Sequence, residues 1–481
     1  MNQDYTAYRT YLKQHWDEDI SRIQEFLRQP CIPSNNIGCT ESAQLLMRYY
    51  RELGCQEVEL VETESGRPGV FAYLDCGAEK TLVNYCMLDT KPADGEGWSS
   101  NPFAADLVDR EDVGAVILAR GAQGRKGPYI SWINALRALK EVDGKLPVNI
   151  LFLAESEENC GSPNYKAFVK KYEDRIAKAD AAFCPGAVQS RDGQVKLTLG
   201  YKGLINIRFT CSGLLWGKGP QKRATHAAAQ ALIESPTWRL IEALSTFRDH
   251  ETGRLLIRDF YIDEPPVTDE ERSVAEYVCN QFPGKSWKQF LPMIGTDVKG
   301  ESDLLSNVDA CLKFWYSPSF NINGLASGFT GPGTEVFRLP NQAWALCDVR
   351  VPRGYSAQKT IARIRQHLID RGYEDISMEV IAAYEPCQTS PDSDLCSAVT
   401  GILDEEHIPW FTWPFVGGGG PWSLFSEYGL PTLFDVGLGY GGNAGGIDEF
   451  LSVESSGACA GIIDSELFFI KFLKRFADSN R

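Results

Sequence analysis

Three short segments gather the side chains that can move protons or hold charge. They are Met87-Leu88-Asp89, Arg120-Gly121-Ala122-Gln123-Gly124-Arg125-Lys126-Gly127 and Ala154-Glu155-Ser156-Glu157-Glu158-Asn159-Cys160-Gly161-Ser162. Asp89 and Glu158 are carboxylates able to take or give a proton, whereas Arg120, Arg125 and Lys126 are cations able to attract an anion. A plainer reading stands beside this one: Glu158 is one surface glutamate among several, Asp89 caps a loop, and the cations belong to a solvated loop. Cys86, Cys160 and Cys184 lie at or beside these positions and invite a thiolate reading. Strand residues alternate in direction, so neighbours of inward-facing positions point away, and inert buried thiols are the default.

The elements that must position these groups are short and alternate. Residues 5–29 carry apolar side chains at Tyr8, Leu12, Trp16, Ile20, Ile23 and Phe26, a helical spacing. A second helix is expected over Glu41–Leu53 with Thr40 as its N-cap. Strands are expected at Glu57–Glu62, Val70–Leu74, Leu82–Met87, Val148–Ala154 and Ala181–Cys184, and helices at Tyr129–Val142 and Pro163–Tyr172. Such alternation predicts an α/β layer with a largely parallel sheet. Ligands of such sheets gather where strands end, and each of the three segments sits at such an end or leads into a helix. From about Tyr201 the texture changes to an α+β insertion running to about Tyr384. It has strands at Lys202–Cys211 and Arg338–Val351 and helices at Ala227–Ser245 and Ala357–Arg371. The chain closes with the aromatic and glycine-rich stretch Trp410–Trp422, a strand near Pro431–Val436, a glycine loop at Gly437–Gly446 and a helix over Ser455–Phe476. The predicted division is 1–205, 206–384 and 385–481, the first and last together forming one domain.

Composition narrows the function. With 48 basic against 64 acidic side chains the formal charge is −16, which disfavours a nucleic-acid partner because phosphate binding needs a cationic surface. No apolar run approaches the roughly 18–20 residues of a membrane span. The 14 cysteines are scattered through a long chain whose start lacks a charged-then-apolar leader, so reduced thiols in the cytosol are expected. Five histidines occur, His15, His226, His250, His367 and His407, and none falls in the three segments.

Further stretches, Asp89-Thr90-Lys91-Pro92, Trp98–Phe103, Asn321-Ile322-Asn323-Gly324, Asp348–Pro352 and Gly446-Ile447-Asp448-Glu449-Phe450, complete a pattern. In their order and spacing the whole chain resembles the M20 family of zinc peptidases and amidohydrolases, in its carnosinase-like dipeptidase branch. The resemblance implies an α/β catalytic domain in two pieces, an inserted α+β lid that mediates homodimerisation, and two zinc ions bridged by a carboxylate and a water. On that pattern the metal ligands fall at Met87, Gly124, Asn159, Pro185 (or Gly186) and Gly445, none of which offers a good zinc donor. Glu158 falls on the general base and Asp89 on the carboxylate that props a metal-binding histidine. His226 falls on the lid histidine that stabilises an oxyanion in the partner subunit's site. Asn323 and Arg350 fall on substrate-binding residues, and Gly417–Gly420, with Gly418 and Gly419 central, on a loop whose amides face the substrate carboxylate.

These residues predict a metal-independent enzyme without cofactor on the M20 scaffold. It would act by acid/base catalysis on a small amino-acid-derived or carboxylate-bearing substrate: condensation, cyclisation or amide hydrolysis, in a biosynthetic setting. Glu158, Asp89 and His226 would be catalytic; Arg350, Asn323, Gly418, Gly419, Arg120 and Lys126 would hold substrate. The alternatives are a non-catalytic homologue binding a ligand or partner, and a zinc dipeptidase.

Overall fold

The computed structural model describes residues 5–93, 97–292, 294, 298–329, 331 and 337–479. The chain forms two compact units, one of Met1–Gly200, Gln388–Pro414 and Pro421–Arg481, the other of Tyr201–Cys387 and Phe415–Gly420.

The first unit is built on a six-stranded mixed sheet. Its order is Glu57–Val61, Gly69–Leu74, Asn149–Glu155, Thr81–Met87, Ala181–Pro185, Thr432–Val436. The last four of these run parallel to one another, while the first two pair antiparallel. Central strands are buried on both faces, which explains their unbroken apolar runs: every residue of Asn149–Glu155 is buried. Helices Lys126–Asp143 and Ile462–Asp478 pack together, and Trp132 meets Phe183, Phe469 and Phe472 in the core.

A second sheet in this unit matters for the site. The hairpin Asp106–Arg110/Gly114–Leu118 pairs with Phe450–Ser452, which pairs in turn with Gly441–Gly442. It sets residues 119–124 beside residues 445–449, and the Ala119 N–H donates to the Glu449 carbonyl at 3.0 Å.

The second unit is a four-stranded antiparallel sheet in the order Ser319–Ser327, Gln342–Val351, Gly203–Ser212, Ser377–Tyr384. One face, including Ile205, Ile207, Phe209, Cys347 and Val349, packs on helices Pro236–Ser245 and Ala357–Asp370. Period-two alternation puts Asp348 and Arg350 on the opposite face.

Several local expectations are corrected. The helix over residues 5–29 is two, Thr6–Gln14 and Trp16–Arg28, broken at His15, whose Nδ1 bonds the Tyr11 carbonyl at 2.9 Å. Thr40 caps nothing: the helix starts at Cys39 behind Gly38, which is in the left-handed region. The Ala227–Ser245 helix is a 3₁₀ turn, Ala227–Ala231, then a helix from Pro236 capped by Ser235, because proline cannot sit inside a helix without losing a bond. Pro340 likewise divides Arg338–Leu339 from Gln342–Val351. The last helix begins at Ile462, after Gly457 and Gly461.

Candidate functional site

In the first unit the central strand Thr81–Met87 delivers Asp89 to the sheet's carboxyl edge. The neighbouring strand Asn149–Glu155 delivers a 3₁₀ turn, Glu158–Cys160. Asp89 is fully buried and grips that turn. Its Oδ1 accepts from the Glu158 N–H at 3.0 Å, and its Oδ2 accepts from the Asn159 N–H at 2.8 Å and Asn159 Nδ2 at 2.9 Å. Glu158 is thereby presented half-exposed, with its backbone held by Asp89.

Two further carboxylates surround it. Glu155 accepts from Tyr85 at 2.8 Å and Ser162 at 2.9 Å. Burial, ahead of the charges of Asp89 and Glu158, pushes it well above the ordinary carboxylate range. Glu157 is tied to Ser65 at 2.5 Å, Arg67 at 3.3 Å and Asn164 at 2.7 Å. It is a brace for the loop.

The cations are engaged within the unit. Lys126 opens the long helix, is buried, donates to the Gln29 carbonyl at 2.6 Å and lies 4.5 Å over the Phe26 ring. Burial lowers it to about 8 against the pull of Asp89. Arg120 donates to Gly446 O at 2.7 Å, Pro92 O at 3.2 Å and Glu449 at 3.1 Å. Arg125 has a backbone φ of 111° and pairs with Asp435 at 2.7 Å, its guanidinium 4.3 Å over Phe434. Burial works against its charge, but Asp435 and Glu158 outweigh burial and keep it protonated. A fixed cation thus stands within electrostatic reach of Glu158.

Glu449 closes the loop. Its Oε2 accepts from Arg120, from Gly121 N at 3.0 Å and from Gly445 N at 3.2 Å, while its Oε1 accepts from Gln123 N at 3.2 Å and Gly124 N at 2.7 Å. Asp435 and Glu449 were not singled out from sequence. Glu449 lies inside the Gly446–Phe450 stretch, and Asp435 is hidden because its signal is a backbone one: a φ of 67° at a bulge between Phe434 and Val436.

The cysteines beside this loop cluster are not poised for chemistry. Burial pushes Cys184 up to about 12, Cys86 well above its ordinary value and Cys160 upward, leaving each a thiol at neutral pH.

The second unit carries the other candidates. Arg350 makes a bidentate pair with Asp348, at 2.7 and 2.9 Å, and lines a cavity with Lys202 and Gly418. Asn323 sits at a bulge where the register slips between Ile322 and Gly324, and its Oδ1 accepts from Asn321 at 2.8 Å. His226 is exposed, and its Nδ1 accepts from Ala228 N at 3.2 Å, capping the 3₁₀ turn. In the neutral ring the proton is therefore on Nε2, which is left as a donor.

Asp89 carries a pH signature. Burial lifts it from 3.8 to about 6 despite the backbone N–H bonds that favour its charge. Because the folded value lies above the unfolded one, the folded chain holds this proton more tightly. Its contribution to stability is complete below about pH 4 and is lost as pH rises through about 6. Urea midpoints taken from pH 4 to pH 7 should contain this falling component, and Asp89→Asn should remove it.

The family model for Peptidase family M20/M25/M40 matches residues 88–465. The human Beta-Ala-His dipeptidase is 25% identical over 308 residues, 63% of this chain and 56% of that protein. The Cys-Gly metallodipeptidase DUG1 of Candida albicans is 23% identical over 367 residues, 73% of this chain and 72% of that protein. In structure, the M20 family metallo-carboxypeptidase Sso-CP2 from Sulfolobus solfataricus superposes with a TM-score of 0.79 at 26% identity, covering 96% of this chain and 98% of that one. The chain spans 56–61% of the length of the mammalian Beta-Ala-His dipeptidases it matches. These likenesses correct the expectation of a metal-independent condensing or cyclising enzyme. The relatives are named as dipeptidases or metallodipeptidases, and a structural neighbour at 26% identity as a metallo-carboxypeptidase, names that favour the zinc dipeptidase alternative over a metal-independent enzyme. A mixed sheet with parallel centre, loops converging at its carboxyl edge and a family match across most of the chain agree, and the chain belongs to Peptidase family M20/M25/M40.

Proposed function

We propose that this protein is a hydrolase cleaving the amide bond of a small dipeptide-like substrate. The observation that carries the reading is the buried Asp89 carboxylate fixing the Glu158 turn at the end of the central strands. In this proposal Glu158 takes a proton from the attacking water and returns it to the leaving amine. His226 Nε2–H donates to the developing oxyanion, the role the family resemblance implies in a homodimer. Arg350, Asn323 and the amides of Gly418 and Gly419 hold the substrate carboxylate. The bonding of Arg120 and Lys126 supports a loop-organising role for both.

The zinc pair the family implies is not matched by the residues at the expected positions, and we infer that these positions have lost their ligands. Met87, Gly124, Asn159, Pro185 and Gly445 supply no imidazole or carboxylate. Among the described residues no cluster of three or more His, Cys, Asp or Glu side chains is disposed to hold a metal. The surroundings have closed around the change. A Cβ at Gly124 would stand 3.0 Å from Glu449 Oε1, one at Gly186 would stand 2.1 Å from Asp435 Oδ1, and one at Gly445 would meet the Lys91 chain at 3.3 Å.

The test is release of free amino acids, followed by mass spectrometry, from a dipeptide panel that includes β-alanyl-histidine and cysteinyl-glycine, the substrates in the relatives' names. It is run on the purified chain as isolated, after chelation, and with zinc or manganese added. Cleavage of at least one dipeptide is expected. No cleavage under any of the three conditions would overturn the reading.

A further inference from the structure

Residues 31–39 of the first unit form a tight hairpin with a cysteine at each end, Cys31 and Cys39. The Ile32 N–H donates to the Ile37 carbonyl at 2.8 Å, and the Ile37 N–H to the Ile32 carbonyl at 3.1 Å. At the base Gly38, with a φ of 68°, comes so close that a Cβ there would stand 2.1 Å from the Pro30 carbonyl oxygen. The two ends are thereby pressed together. Both cysteines are buried, Cys39 keeping 7% exposure, and the Cys31 thiol donates a hydrogen bond to Cys39 Sγ. The tip is open: Ser34, Asn35, Asn36 and Ile37 are exposed, and so is Thr40 beside Cys39.

The two thiols are not equivalent. Cys39 is the first residue of the helix Cys39–Leu53, where unpaired N–H groups favour a negative charge. The hydrogen bond from Cys31 is the main influence on Cys39 and lowers its pKa, with the Arg67 guanidinium helping, against burial and the charges of Asp89 and Glu157. The same bond, with burial second, keeps the proton on Cys31. Cys39 is thus the nucleophile of the pair and Cys31 the thiol that follows. Cys279 and Cys311 in the second unit also touch, at 3.8 Å, but burial pushes both of those thiols up.

We propose that Cys31 and Cys39 form a reversible intramolecular disulfide that switches off the Glu158 site. The hairpin is bonded to that site from two sides. The Cys31 carbonyl accepts from the Thr90 N–H at 2.8 Å, one residue after Asp89. Asn36 Oδ1 accepts from Arg67 Nε at 3.2 Å and Nη2 at 3.0 Å, and the same guanidinium holds Glu157 at 3.3 Å. The oxidant is a low-molecular-weight disulfide. The Cys39 thiolate attacks one of its sulfurs and expels a thiolate; Cys31 gives its proton to solvent, attacks the Cys39 sulfur and expels the second. Two protein thiols lose two electrons and two protons, and the small disulfide is reduced to two thiols. A sulfur–sulfur bond of about 2.05 Å is shorter than any thiol hydrogen bond, so closing it moves Cys31, and Thr90 and Asp89 with it. The effect on activity rests on the hydrolase reading, whereas formation of the bond does not.

The full chain is incubated with oxidised glutathione, remaining thiols are capped with N-ethylmaleimide, and tryptic peptides are read by mass spectrometry. The peptide Gln29–Arg48 contains Cys31 and Cys39 and no other cysteine. It is expected uncapped and lighter by two hydrogen atoms, ahead of any Cys279–Cys311 link, and should return to two capped thiols after dithiothreitol. Oxidation should lower kcat/KM for dipeptide cleavage by at least about tenfold, since a 1 Å displacement at a catalytic group costs about 10²-fold, and reduction should restore it. Cys39→Ser should keep the activity of the reduced chain and lose the response to oxidised glutathione. A native chain whose peptide stays fully capped after oxidation, or in which Cys39 is linked to Cys160, overturns the proposal whether or not Cys39→Ser folds. A complete Cys31–Cys39 disulfide that leaves cleavage unchanged overturns it as well. Disulfide formation in a chain that cleaves no dipeptide supports the thiol pair as a redox site and sinks the hydrolase reading.

Discussion

Glu158→Gln is expected to lower kcat/KM for dipeptide cleavage by roughly 10²–10⁴-fold, the usual contribution of a positioned general base, while the thermal midpoint stays close to that of the native chain. The two halves of this expectation have separate causes. The substitution removes the proton acceptor but keeps size and shape. What Asp89 grips is the backbone N–H of residue 158, at 3.0 Å, and that bond does not depend on the side chain. The turn therefore stays folded and presents an amide where a carboxylate stood. Asp89→Asn makes the contrast, because it loses charge-assisted bonds to the same turn and should disturb both activity and stability. Full activity in a folded Glu158→Gln variant would remove Glu158 from the chemistry.

The largest stability effect is expected at Glu449. It is 1% exposed and answers Arg120, which is 4% exposed, together with four backbone N–H groups. Glu449→Ala leaves a guanidinium buried without its partner and several amides without acceptors. Breaking one side of a buried pair costs about 3–5 kcal/mol, and each orphaned donor adds to that. Urea unfolding of the variant should show a midpoint lowered by that free energy divided by the m-value, with the m-value unchanged. A loss under about 1 kcal/mol would mean the loop finds other acceptors. Glu449→Gln should fall between, since one amide oxygen replaces two carboxylate oxygens.

The central strands were legible from sequence because burial on both faces leaves unbroken apolar runs such as Asn149–Glu155, and the three loops followed from where those runs stop. The hairpin Asp106–Arg110/Gly114–Leu118 was not seen, as its first strand is mostly exposed and charged and carries neither pattern. Proline marked the two breaks that were missed, Pro236 and Pro340. At the site, Asp89 and Glu158 could be picked out by residue type at strand ends. Asp435 could not, since what places it opposite Arg125 is a backbone irregularity that any strand-like sequence can conceal. Side-chain types at five positions point away from the metallodipeptidase chemistry that the relatives' names favour.

The carboxylate that closes the loop at Gly124 comes from a residue 325 positions later. During synthesis on the ribosome, the segment after Ala119 must wait for residue 449 to emerge before its amides find their acceptor. Contacts so distant along the chain are slow to form and leave partly built intermediates exposed. This half of the molecule is therefore assembled last and by its own tail, and a polypeptide released before that point would carry Arg120 into a cleft without the carboxylate that answers it, leaving the Pro92 carbonyl as its acceptor.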